Sequence, residues 1–130
     1  MNSKLNKKTS FKQDFKKRCF KFSLLVLKVS EEFRKERKNW PLVDQLIRSA
    51  TSVGANVVEG GSSVSRREFI NYFQIALKSS SETLYWLALL QEINPSLSED
   101  TDIMINECIE IKKLLTTIIL NTKNNSKFNS

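Results

Sequence analysis

The stretch Asn56-Val-Val-Glu-Gly-Gly-Ser-Ser-Val-Ser-Arg-Arg-Glu-Phe69 lies between two long segments with helical apolar periodicity. Gly60 and Gly61 can take the left-handed conformation that ends a helix without the steric cost of a side chain. Ser65 and Glu68 have the Ser-x-x-Glu spacing of a capping box, in which the serine accepts from the glutamate amide and the carboxylate reaches back. A helix therefore stops and another starts within a few residues. The corner predicted here comprises Asn56, Glu59, Gly60, Gly61, Ser65 and Glu68, with Glu59 and Asn56 expected to bind backbone or neighbouring-helix groups.

Downstream, the periodicity predicts a third helix over 66–93. Phe69, Phe73, Ala76, Ser80, Leu84, Leu87 and Gln91 trace one line, and Tyr72, Ile75, Ser79, Trp86, Leu89 and Ile93 another. A helix that is apolar on two sides needs more cover than one small bundle gives an outer helix. Self-association is the expectation, with Tyr72, Trp86 and Leu89 at the interface; the competing reading puts Trp86 over a loop of its own protomer. Pro95 ends this helix, and Ser96-Leu-Ser-Glu99 offers another capping box. A fourth helix follows with Ile103, Met104, Cys108, Ile111, Leu115 and Ile118 on its core face, and an Asn/Lys/Ser tail over 121–130 is expected to be disordered.

Upstream, a second helix is expected over 41–59, opened by Pro41 and rich in small residues at its centre. Gly54 in that interior suggests a close neighbour. A first helix is expected from a Ser10-Phe-Lys-Gln13 cap, with Phe15, Cys19, Phe22, Val26, Val29 and Phe33 as its seam and Phe20, Leu24 and Leu27 widening it. The polar run 34–39 reads as a connection that does not pack, and residues 1–9 as a disordered basic arm. Residues 10–120 thus make an all-α, antiparallel up-down-up-down four-helix bundle.

The chain has 130 residues, enough for one domain with a core of its own. Its net charge of +7 is unevenly placed: residues 1–40 hold 13 Lys/Arg against 4 Asp/Glu, a balance of +9, and residues 41–130 hold 8 against 10, a balance of −2. Basic charge gathered on one helix favours an anionic partner, nucleic acid ahead of membrane, against the plainer reading of a solvated face. Lys21, Lys28 and Lys35 recur every seven residues and so form one stripe; with Lys16 and Lys17 they are the candidate phosphate contacts.

Catalytic motifs are absent from the sequence. It contains no histidine, the usual general base near neutral pH, and the two cysteines, Cys19 and Cys108, are far apart and read as reduced packing residues of a cytoplasmic protein. No metal-ligand spacing or phosphate-cradling glycine loop is present, so no cofactor is expected. Glu82, within Ser79-Ser-Ser-Glu82, is the polar spot in an otherwise apolar helix; small side chains packed opposite Ser49, Ala50 and Gly54, with Glu82 bonded to a neighbour or turned outward, account for it more readily than catalysis.

Leu42-Val-Asp-Gln-Leu-Ile-Arg-Ser-Ala50, Ser52-Val-Gly-Ala-Asn-Val-Val-Glu-Gly60, Ser65-Arg-Arg-Glu-Phe69 and Phe73-Gln-Ile-Ala-Leu-Lys-Ser-Ser-Ser-Glu82 closely resemble the four-helix-bundle proteins encoded in intervening sequences of bacterial 23S ribosomal RNA genes. Arg48, Asn56, Glu59, Gly60, Ser65, Glu68, Phe69 and Glu82 match that family pattern. The resemblance implies a ring-shaped homopentamer and a likeness to the accessory proteins of diversity-generating retroelements, basic pentamers that bind nucleic acid and a reverse transcriptase. It implies no enzymatic role. Ser62-Ser63 departs from the pattern, where an arginine is expected soon after the glycine, which weakens any phosphate contact at the corner. The function expected is therefore a non-catalytic homo-oligomer binding RNA or DNA without sequence reading, with a reverse transcriptase or ribosomal component as a further partner and no membrane role. The alternative is a protein-interaction scaffold.

Overall fold

The computed structural model describes residues 3–125, with side chains from residue 10 onward. Four long helices, α1 (Ser3–Phe33), α2 (Trp40–Gly61), α3 (Arg66–Ile93) and α4 (Ser98–Asn124), make an all-α bundle, with single 3-10 turns at Arg37–Asn39 and Pro95–Leu97. Cross-helix contacts set the directions. Ser52 meets Ser79, Ser49 meets Thr83 and Asn39 meets Asn94, so α2 and α3 run antiparallel. Arg66 at the start of α3 reaches Thr122 at the end of α4, and Arg34 reaches Asp44 across the α1–α2 turn. The result is an up-down-up-down four-helix bundle.

The seam anticipated for α1 is the core: Phe15, Cys19, Phe22, Val26, Val29 and Phe33 are all buried, against Val43, Leu46, Ala50, Val53 and Val57 of α2, Phe73, Ala76, Leu87 and Leu90 of α3, and Met104, Cys108, Ile111, Leu115 and Ile119 of α4. Two members of the expected α4 face differ. Ile103 is exposed and Ile118 only partly buried, because the buried line continues through Ile119 and Thr122.

Several boundaries depart from the sequence reading. α1 starts ahead of Ser10, which therefore lies within the helix instead of capping it. The side chains of the expected arm over 1–9 lie outside the described residues, as do residues 126–130 of the expected tail, while 121–124 continue α4. The Ser96–Glu99 cap does not form: Pro95–Leu97 makes its own turn, and Leu97 sits at the α4 N-cap without a side-chain hydrogen bond. The connection over 34–39 does pack, through one residue. Asn39 is 1% exposed and donates through Nδ2 to the Phe33 carbonyl and to Asn94 Oδ1, both at 2.9 Å, while Asn94 Nδ2 returns a bond to Asn39 Oδ1 at 3.0 Å. A buried carboxamide is tolerated only with such partners.

The decisive corner holds with a different use for its glycines. Ser65 Oγ accepts from the Glu68 amide at 3.1 Å, so the N-cap of α3 forms as expected. Among the described residues no glycine has positive φ, and α2 ends at Ser62 with the αR backbone values φ −97° and ψ −1°. Gly60 is instead a contact residue: a Cβ there would lie 2.7 Å from Cδ1 of buried Phe73. At Gly54 an added Cβ would meet Cys19 Cβ at 3.4 Å, an ordinary contact, so the close neighbour expected there is present without excluding a methyl group.

Candidate nucleic-acid interface and the corner motif

The basic residues of α1 divide by what they touch. Arg18 is committed to the fold: its Nε and Nη2 each donate at 2.8 Å to the two Glu107 oxygens, a fork that ties α1 to α4. Hydrogen bonding to Glu107 raises the Arg18 pKa further above its usual value, against the opposing effect of burial. Arg34 pairs with Asp44 at 2.6 Å, and Lys35 with Glu32 at 2.9 Å. Lys38 lies 3.4 Å from Glu36 and also donates to the Ile93 carbonyl.

Among the expected phosphate contacts, Lys17, Lys21 and Lys28 are exposed, and among the described residues none of them has an ion pair. Lys16 is half-buried with its side chain over the end of α2, where a Cβ on Gly61 would lie 3.1 Å from Lys16 Cε. An ammonium there complements the negative end of that helix. Lys35 completes the heptad stripe but shares its charge with Glu32. Lys21 also borders a shallow groove between α1 and α4, floored by Phe22 and Leu25 and walled by Ile103, Asn106, Glu107 and Glu110.

The corner residues act on the fold. Asn56 Nδ2 donates to the Ser52 carbonyl at 2.8 Å and to Ser52 Oγ at 3.0 Å, and Ser52 Oγ meets Ser79 Oγ at 3.0 Å, so Asn56 bonds one turn back within α2, toward the α2–α3 seam. Glu59 does not: it is exposed and, among the described residues, has no hydrogen bond or ion pair, because it falls on the outer side of α2. Arg66, in the middle of the corner, donates to the carbonyls of Thr122 and Lys123 at 3.1 and 2.5 Å and so closes the end of α4. Ser63, one of the two departures from the family pattern, donates to the Gly60 carbonyl at 2.6 Å. Both contacts are structural.

Glu82 accepts from Trp86 Nε1 at 3.0 Å and lies 3.9 Å from Arg48 Nη2, the neighbour bonding anticipated for it. Trp86 is half-buried against the core of its own chain, not over a loop, and Tyr72 and Leu89 are likewise half-buried. The same side of the bundle nonetheless leaves Ile75 and Ile93 each 40% exposed. Cys19 and Cys108 are free and buried, and burial pushes both thiols up to about 12, so neither is a nucleophile at neutral pH. Among the described residues no group of acidic or cysteine side chains has the arrangement of a metal site, and no helix is long and apolar enough to cross a membrane.

Two features escaped the sequence reading. One is the buried Asn39–Asn94 pair, whose residues sit in connections that look polar and idle. The other is the outer side of α1. Phe20, Leu24 and Leu27 were expected beside the core seam, yet they are 66%, 51% and 41% exposed. Their angular positions were the available signal: at about 100° per residue they fall nearly opposite Cys19, Phe22 and Val26.

Comparison with known proteins agrees with the resemblance. No curated protein matches the chain. Among solved structures it is similar to a crystal structure of a protein of unknown function from the S23 ribosomal protein family of Bacteroides thetaiotaomicron. The two are 36% identical with a TM-score of 0.76, over 81% of this chain and 97% of that one. The model of the 23S rRNA-intervening sequence protein family matches residues 12–117, and with most of the bundle inside that match, the chain belongs to this family.

Proposed function

We propose that this family member is a non-catalytic, homo-oligomeric protein that binds RNA or duplex DNA through the lysines of α1. The observation that carries the reading is the contrast within the N-terminal third. Arg18, Arg34 and Lys35 are taken up by carboxylates, while Lys17, Lys21 and Lys28 extend into solvent without one. Charges left unpaired along one helix suit a phosphate backbone, and such contacts position a duplex without reading its bases. Assembly multiplies them, because each added copy presents the same lysines to one polyanion. The resemblance to ring-forming relatives supports a pentamer as the assembled form.

The test is RNA affinity measured across salt concentration for the wild type and for Lys17→Glu/Lys21→Glu/Lys28→Glu. Binding weakens with salt in the wild type, and the triple variant loses affinity and flattens the log–log slope by roughly 2 units, since each phosphate contact contributes about 0.7 to 0.9. Salt-independent binding, or an unchanged triple variant, overturns the proposal. A protein partner retained stoichiometrically after nuclease treatment, without RNA affinity, supports the scaffold reading instead.

A further inference from the structure

The near-neutral balance of the α3–α4 pair conceals a sharp division of charge. Residues 79–109, the half nearest the turn between the two helices, contain six Asp/Glu and no Lys or Arg. Residues 66–78 and 110–125, the open half beside the corner, contain six Lys/Arg and two Asp/Glu. Two of those six cations are already engaged: Arg66 donates to α4 carbonyls, and Lys113 lies 3.5 Å from Glu110. Arg67, Lys78, Lys112 and Lys123 have no ion pair among the described residues; Lys112 is half-buried and the other three are exposed. Of the two carboxylates in this half, Glu110 is held by Lys113 and Glu68 belongs to the Ser65 cap. The four free cations form a frame. Arg67 and Lys78 stand eleven residues apart on α3, and so do Lys112 and Lys123 on α4. That spacing is about three turns, so the members of each pair share a side of their helix at roughly 16 Å separation. Cys108 Sγ donates to the Ser80 carbonyl and Arg66 to that of Thr122, and this antiparallel register sets Lys78 near the level of Lys112 and Arg67 near that of Lys123.

We infer that this frame is a second phosphate-binding surface, and that one chain thereby holds two nucleic-acid segments, one on α1 and one across the open half of the α3–α4 pair. The inference rests on the nucleic-acid reading above and adds a surface that shares none of its residues. Like charges left together repel one another in the folded chain, and the six carboxylates of residues 79–109 are all placed at the other end, where they relieve nothing. A polyanion supplies the missing charge. Duplex nucleic acid carries one negative charge per about 1.7 Å of axis, so a segment lying over the frame offers phosphates to both of its levels at once. The acidic half of the same two helices repels that segment, which confines it to the open end. The two surfaces also face different ways: α1 packs on α2 and α4, and α3 stands diagonally across the bundle from it. A duplex seated on the α1 lysines therefore has the bundle between itself and Arg67, and the frame is left for another segment.

Energy transfer between two short RNA duplexes, one carrying a donor dye and the other an acceptor, tests the bridge, with binding of a single labelled duplex measured alongside. Arg67→Glu/Lys78→Glu is the variant, since both side chains are exposed and neither has a hydrogen bond or ion pair among the described residues. It is compared with wild type at equal solution mass and equal helical circular dichroism, and Arg67→Gln/Lys78→Gln takes its place should the charge reversal alter either. The wild type brings donor and acceptor together. The variant still binds one duplex through α1 but loses the transfer, and adding salt removes the wild-type transfer as well. Transfer that persists in the variant overturns the second surface and leaves the α1 reading standing, because copies joined through α1 lysines alone would then account for the bridge. A wild type that binds one duplex without transfer overturns the second surface in the same way. A wild type that binds no RNA overturns both readings. Retention of an acidic peptide at the frame, lost in the variant while duplex binding and transfer are untouched, overturns the nucleic-acid assignment of this surface in favour of a protein partner.

Discussion

The α2–α3 seam and the α1–α4 seam solve the same packing problem with opposite means. Between α2 and α3 the facing residues are small, including Ser49, Ala50, Ala76 and Ser80, all buried, and the hydroxyl pairs Ser52–Ser79 and Ser49–Thr83 bridge the helices at 3.0 Å. Between α1 and α4 the residues are larger and the helices pack much less closely, leaving the groove floored by Phe22 and Leu25, with the Arg18–Glu107 fork as its tie. Small side chains let backbones approach, and hydroxyls satisfied across the gap make that approach compatible with burial. A long ion pair spans a gap without closing it. The close seam is therefore sensitive to added volume, and the open one to lost charge.

The largest effect is expected where volume enters the close seam. Gly60→Val puts methyl groups into the Phe73 ring, which is buried and cannot swing away, and costs on the order of 3 kcal/mol. Gly54→Ala, a glycine substitution in the same helix, has the opposite sign. Its methyl meets Cys19 at an ordinary contact and removes a helix-interior glycine, a gain of up to about 1 kcal/mol. Chemical denaturation of the two variants measures both; a destabilised Gly54→Ala would show that the α1–α2 approach is as tight as that of α2–α3.

A middle-sized effect is expected at the end of the close seam, where Asn39 and Asn94 exchange two hydrogen bonds. Asn39→Ala or Asn94→Ala leaves the remaining carboxamide short of a buried partner and costs roughly 1 to 3 kcal/mol. The double variant costs less than the two singles together, since the second substitution removes the group the first had orphaned. Additivity in that cycle would mean that the two amides act independently.

How much of this was legible in the sequence differs between the two seams. The buried line of α1 and the limits of α3 follow from periodicity and from the Ser65 cap, because both depend on neighbours within one or two turns. The small-residue centre of α2 announced a close approach. Gly60 was misread, since a glycine beside a turn has two possible reasons, backbone conformation and a ring pressed against it, and only the position of Phe73 decides between them. The candidate phosphate contacts were only partly legible for a similar reason: composition counts charges, whereas Glu107, Asp44 and Glu32 decide which of them stay free. Glu107 is 89 positions from Arg18, beyond any local pattern.

The buried thiols give a pH-dependent reading of the two contacts that flank these seams, α1–α2 and α3–α4. Cys19 faces α2 at Gly54, and Cys108 donates from α4 to the Ser80 carbonyl of α3 at 3.4 Å. Each thiol has its pKa raised by burial from 9.0 to about 12. A raised pKa means that the folded state holds its proton when the unfolded chain has lost it. The contribution is thus fully present below pH 9.0 and is lost as the pH climbs toward about 12. Wild type should lose more stability between pH 8 and 10 than a Cys19→Ala/Cys108→Ala variant does, and a thiol reagent should label both cysteines only as fast as the bundle opens.

The smallest effect belongs to the open seam. Arg18 and Glu107 are 39% and 29% exposed at their side chains, so water screens much of their attraction. Arg18→Gln should cost no more than about 1 kcal/mol, with the difference from wild type shrinking as salt is added. The bidentate geometry places the pair near the upper end of that range, since two parallel bonds hold one orientation. A loss as large as that of Gly60→Val would reverse the comparison. It would mean that the fork carries α4 against α1 by itself, and that the groove between them is a strained gap, not simply the space left by two rows of larger side chains.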